Sequence, residues 1–163
     1  MNSIDVQNQK TITFTQGNIN SGTGLPSTVN QSKRIRSDFI YAPLGISATI
    51  PVGFKMYIYC YNTTNSSDTN FFIGSMNNTW YTGSIIERKL KGVYIRLIIA
   101  REDDDNDIAP SDIGTFSITT YTSTDKTLSI TNKPADAKVT GDELKNINHI
   151  INTVLNTVEY DLS

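Results

Sequence analysis

The chain is short of the residues that most chemistry needs. Its 163 residues hold one cysteine, one histidine and one tryptophan. A single cysteine, Cys60, excludes an intrachain disulfide. It sits in the apolar run KMYIYCYN, as a small core residue would. The only histidine, His149, lies far along the chain from it. No Cys–His or Ser–His pair is therefore expected before the C-terminal segment, and nucleophilic catalysis loses its usual base. Charge is scarce too: charged residues make up 18% and the formal net charge is −2. That balance leaves no basic footprint for nucleic acid or an anionic membrane. Hydrophobic residues reach only 37%, against roughly 45–50% in typical globular chains. No run approaches the roughly 18 apolar residues of a membrane span. The opening MNSIDVQNQK lacks the apolar core of a signal peptide. Asn, Ser and Thr fill the space, a composition suited to strands and turns with uncharged polar faces.

What is present alternates with period two. TITFT (11–15), RIRSDFIYAP (34–43), ISATIPVG (46–53), KMYIYCYN (55–62), FFIGSM (71–76), IIERKL (85–90), VYIRLIIAR (93–101) and GTFSITTYT (114–122) read as strands. Polar residues 1–10 read as an N-terminal arm, and Gly- and Asn-rich residues 16–32 as a long loop. Short strands at this spacing predict an antiparallel, jelly-roll-like β-sandwich over 11–122. Residues 123–133 read as a linker.

The last segment changes period. From Pro134 to Tyr160 the pattern is helical. Leu144, Ile147, Ile151, Val154 and Val158 recur at alternating spacings of three and four. That is a heptad seam, with Ile150 and Leu155 widening it. Isoleucine at both core positions favours three strands, so the segment predicts a homotrimeric coiled coil over 134–160. The alternative is a helix folded back on the sandwich. His149 falls on the outer face of the coil, where a solvated residue is expected.

Two stretches resemble a known group of proteins. DKTLSITNKPADAKVTGDELKNI (125–147) is similar to a junction in tail and fibre proteins of phages and prophages of Gram-positive gut bacteria; Asp125, Thr127, Leu128, Ala135, Asp136, Ala137, Lys138, Gly141 and Asp142 carry the match. The strand region resembles a small β-sandwich of the same proteins, through Arg34, Arg36, Tyr57, Tyr59, Trp80, Ile95, Arg96, Arg101 and Ser111–Asp112. Together they cover about 30–147. The resemblance implies a structural fibre or receptor-binding protein located in the virion, extracellular after release. Its partners would be its own copies, other virion proteins and a host-surface glycan, without cofactor or membrane insertion. The alternatives are a carbohydrate-binding module of a modular bacterial surface enzyme, or a purely structural virion connector or decoration protein.

Candidate ligand residues follow from chemistry. Trp80 and Tyr81 in NNTWYTG, with Asn78 beside them, fit sugar stacking with polar flanks. The same tryptophan could instead cap the core. Arg34, Arg36, Arg96 and Arg101 could form structural ion pairs with Asp38 or Asp112, or bind anionic sugar or phosphate, with Arg34, Arg36 and Arg96 the candidate ligand residues. The crowded carboxylates of EDDDND leave a weak calcium alternative at Asp103, Asp105 and Asp107. A charged turn explains them more simply. No residue is expected to be catalytic, and no cofactor is expected.

Overall fold

The computed structural model describes residues 4–124. The expected linker beyond Thr124, the helix and its seam residues Leu144, Ile147, Ile151, Val154 and Val158 lie outside the described residues. Within them the protein is mainly antiparallel β. The strands are β1 (Ile4–Ile12), β2 (Phe14–Gln16), β3 (Asn18–Ile19), β4 (Pro26–Ser27), β5 (Ile35–Ser37), β6 (Ile40–Tyr41), β7 (Ile46–Thr49), β8 (Phe54–Tyr61), β9 (Phe72–Ser75), β10 (Ser84–Glu87), β11 (Tyr94–Arg101) and β12 (Phe116–Thr124). Two short 3-10 turns, Gln31–Lys33 and Pro110–Ile113, complete the set.

One sheet has the order β1-β12-β7-β10. The larger one runs β2-β5-β11-β8-β9, with β6 also pairing β11, and β3-β4 form a separate ribbon. Ile46 and Ala48 of β7, and Phe116 and Ile118 of β12, pack in one cluster with Met56, Ile58 and Cys60 of β8 and Ile95, Leu97 and Ile99 of β11. The two sheets therefore share one hydrophobic core. Phe14 and Phe116 meet edge-on across it at 5.7 Å. Cys60 is fully buried there, as its apolar strand required, and burial raises its thiol pKa.

The N-terminal residues differ from expectation. From Ile4 they are not an arm: nine residues pair in unbroken register with β12, Ile4 opposite Thr124 and Ile12 opposite Phe116. The stretch is polar because its side chains lie over an edge strand and not in the core centre. Backbone hydrogen bonds along the register hold the polar middle of the strand in the sheet, and Ile12 at its end packs against the core. The predicted strand 34–43 is likewise split. Ser37 turns inward, its hydroxyl accepts a hydrogen bond from the Leu97 amide at 2.9 Å, and its carbonyl accepts one from Arg96 Nε at 2.9 Å. A side chain thus takes a place in the ladder, and β5 and β6 meet β11 separately. The predicted strand 85–90 is also shorter, ending at Glu87.

β11 reads YIRLIIAR, with too few polar positions for one solvated face, and the larger sheet is indeed covered on both sides. Its outer face carries a second cluster of Ile19, Tyr59, Tyr61, Phe71 and Ile98. The β3-β4 ribbon supplies Ile19 and the close approach of Gly24. Gly24 has φ +71, and its carbonyl accepts the Tyr61 hydroxyl at 2.9 Å. A Cβ there would lie 2.4 Å from the Phe72 ring.

Candidate functional site

The outer cluster does not cover the whole face. Beside it lies a groove of about 260 Å3 lined by Asn18, Arg34, Tyr57, Tyr59, Asn78, Trp80 and Ile98. Its floor follows from strand alternation. Tyr57 and Tyr59 sit two apart on β8 and share a face, and Ile98 of β11 stands opposite Tyr57 in register. Arg34 arrives at the start of β5 and Asn18 from the ribbon.

Trp80 is placed by the turn after β9. Met76 donates its amide to the Ile58 carbonyl, and Tyr81 and Met56 exchange backbone hydrogen bonds at 2.7 and 2.8 Å. Between these anchors Asn77 and Asn78 both have left-handed backbones, φ +53 and +49. Asparagine tolerates that conformation better than most residues. The chain returns with the Trp80 ring against Tyr57, centroids 5.1 Å apart. Tyr57 in turn donates its hydroxyl to Asn78 Oδ1 at 2.6 Å.

Two cations flank the tryptophan. Arg34 Cζ is 5.0 Å and Lys55 Nζ 5.1 Å from its ring centroid. One carboxylate holds both: Arg34 Nη2 is 2.7 Å from Asp104 Oδ1, and Lys55 Nζ bonds Asp104 Oδ2. The Arg34 approach is that of an ion pair and not of an aligned hydrogen bond, for Oδ1 accepts none among the described residues. Asp104 itself has φ +57, at the tip of the acidic turn. Partial burial alone would raise its carboxyl pKa. The hydrogen bond from Lys55 and the charge of Arg34 outweigh that and hold it below the ordinary value.

This sets a pH dependence. A carboxyl with a lowered folded pKa stabilises fully above its unfolded value, near 3.9, and loses that contribution as pH falls through the lower folded value. Wild type is therefore expected to melt above Asp104→Asn at neutral pH. The gap should close on acidification, which thermal melts across a pH series would read. A gap that stays constant to acid pH would remove Asp104 as the charged partner.

The other expected site residues separate. Tyr81 follows Trp80 in extended backbone and so points the opposite way, to the main core. Its hydroxyl donates to Glu87 Oε1 at 3.0 Å. Arg36 is not in the groove: Nη1 donates to the Gln16 carbonyl at 2.9 Å, over Gly17. Arg96 is buried at 7% exposure, bonded to the Ser37 carbonyl and stacked 5.0 Å above Phe39. Both serve the fold. The expected ion pair with Asp112 exists, and of the four arginines it is Arg101 that makes it, at 2.9 Å. Of the predicted ligand set, Trp80, Asn78 and Arg34 come together, and Tyr57, Tyr59 and Asn18 join them. The tyrosines were legible as one face of a strand. Asn18 and the Lys55–Asp104 pair carried no signal, because each depends on a loop meeting a distant strand.

The calcium alternative is not assembled. Asp103 accepts the Asn106 side-chain amide and the Asp105 backbone amide. No group of three or more metal-ligating side chains converges among the described residues. A wider cleft of about 730 Å3 lies between residues 28–32 and 107–112. It has no aromatic lining, and Gln16 reaches it only with an amide already bonded to three carbonyls. The smaller groove is the better binding candidate. No family model, no curated protein and no solved structure matches the chain.

Proposed function

We propose that this chain is a non-enzymatic, trimeric fibre or receptor-binding protein of a phage or phage-like particle, attaching to a glycan on the host surface. The groove carries the reading. An aromatic floor with amide and hydroxyl groups at its edge is the usual means of holding a pyranose, whose C–H face stacks on the ring while neighbouring polar groups fix its hydroxyls. The resemblance of about 30–147 to fibre proteins supplies the context, and the heptad seam from Leu144 to Val158 supports the trimer.

The strand order supports a jelly-roll sandwich. With β5 and β6 counted as one strand and β2 to β4 set aside, the first strand lies beside the eighth, then the third and sixth. In the other sheet the second lies beside the seventh, then the fourth and fifth. That is the pairing of a long hairpin rolled into two layers.

A glycan array probed with the full chain tests the reading. Binding to a defined subset of sugars is expected. Trp80→Ala should weaken it about tenfold or more, equal to roughly 1.4 kcal/mol. Equal binding by the variant would remove the groove as the site. The same groove would serve a carbohydrate-binding module of a surface enzyme. The mass of the assembly, taken up below, separates the two.

A further inference from the structure

We propose that the groove selects an uncharged sugar chain, and that Asp104 sets this selectivity by holding Arg34 and Lys55 on the tryptophan. The inference rests on the glycan reading above and adds the class of glycan. A groove edged by two cations would ordinarily be assigned to an anionic ligand such as a uronate or a phosphate polymer. The contacts here say otherwise.

Both cations already have partners. Arg34 pairs with one oxygen of Asp104 and also donates to the Lys33 carbonyl at 2.9 Å. Lys55 bonds the other oxygen of Asp104 and donates to the Glu102 carbonyl at 3.2 Å. Both lie over the Trp80 ring, and their side chains are only 11% and 13% exposed. An incoming anion would have to displace a carboxylate that grips both. It would also meet the remaining acids of the same turn, as Glu102, Asp103 and Asp105 are all exposed. With Arg34, Lys55 and Arg101 set against Glu102, Asp103, Asp104, Asp105 and Asp107, this turn is net negative, so a negatively charged polymer is disfavoured near it.

The groups left over are neutral. Asn78 uses its Oδ1 on Tyr57, and Asn18 uses its Nδ2 on the Val29 carbonyl at 3.1 Å. The Asn78 amide nitrogen, the Asn18 amide oxygen and the Tyr59 hydroxyl make no hydrogen bond among the described residues. One amide donor, one amide acceptor and one hydroxyl match the hydroxyl and acetamido groups of a neutral sugar.

Trp80 is the only tryptophan of the chain, so its fluorescence reports the groove and nothing else. The full chain is titrated with an uncharged N-acetylhexosamine oligosaccharide, an uncharged hexose oligosaccharide, a uronic acid oligosaccharide and a glycerol-phosphate oligomer. At least one uncharged ligand is expected to move the Trp80 emission, with an affinity that does not change with salt, while the anionic ligands do not move it. In Asp104→Asn the freed cations should raise affinity for an anionic ligand about tenfold or more, the scale of one charged hydrogen bond. Asp104→Glu should restore the neutral preference. An anionic ligand preferred by wild type, or an affinity that falls as salt rises, overturns the selectivity while leaving glycan binding intact. A folded Asp104→Asn with unchanged selectivity removes Asp104 from the role. If Asp104→Asn does not fold, the salt and ligand series on wild type decides the selectivity. If no sugar of either class moves the emission, the glycan reading itself falls.

Discussion

A chain ending at Thr124 is expected to weigh one protomer in light scattering, and the full chain is expected to weigh three. The physical case is one of separate tasks. Residues 4–124 lie in one compact unit whose two ends are tied by strand pairing: β1 and β12 lie side by side over nine residues. Cutting after β12 keeps every strand of the described residues in both sheets. The seam from Leu144 to Val158 is the only feature of the sequence that reads as an assembly device. Loss of the trimer should also be felt at a surface. Three linked grooves raise the effective concentration of each for a glycan-coated surface, so the truncated chain should bind such a surface more weakly by roughly 10²-fold or more. Its affinity for a free oligosaccharide should not change. A full chain that is monomeric would favour the isolated binding module. A truncated chain that is still trimeric would move the interface to the strand region.

Gly45→Ala is the substitution expected to damage the fold most. Gly45 has φ +122, a backbone that side chains rarely adopt. A Cβ there would stand 2.0 Å from the Glu87 carbonyl oxygen and 2.8 Å from Arg88 Cα. Both are backbone atoms and cannot swing aside. The same glycine accepts the Tyr121 amide at 2.9 Å, just before β7 begins. The methyl group would thus press the end of β10 away from β7 while β12 holds the other side. Conformational strain of about 1–3 kcal/mol adds to an overpacking cost of similar size. A loss of roughly 3–5 kcal/mol is expected in urea unfolding, a large part of the stability of one domain. Gly53→Ala is the internal control. Its φ is +85, but nothing lies within 4 Å of a Cβ there. It should cost only the left-handed penalty, about 1–2 kcal/mol. Equal losses at both sites would show that backbone conformation alone matters and that the contact with β10 does not.

The sequence by itself determined the strands and their facing. Period two in KMYIYCYN put Met56, Ile58 and Cys60 in the core and Tyr57, Tyr59 and Tyr61 on the other side, and the structure keeps that division. The apolar run of β11 marks it as a central strand, and its burial on both faces emerges only with the outer cluster in place. Strand facing is local: a side chain's face depends on its neighbours along the strand. Strand 4–12 escapes a sequence reading because its middle, Gln7 to Thr11, is polar and pairs with β12 through backbone groups, which leave no side-chain signal. The site divided in the same way. Trp80 was legible as a lone aromatic in a turn, but its neighbour Tyr81 was wrongly grouped with it, since two adjacent residues in extended chain face apart. Only the tertiary structure decided which arginine stands at the groove. Arg34, Arg36, Arg96 and Arg101 look alike in sequence, yet Arg34 reaches Trp80, Arg36 and Arg96 bond carbonyls, and Arg101 pairs with Asp112. The choice depends on where the turn carrying Asp104 lies against a strand start seventy residues earlier. That placement belongs to the folding of two sheets over one core, and no local pattern encodes it.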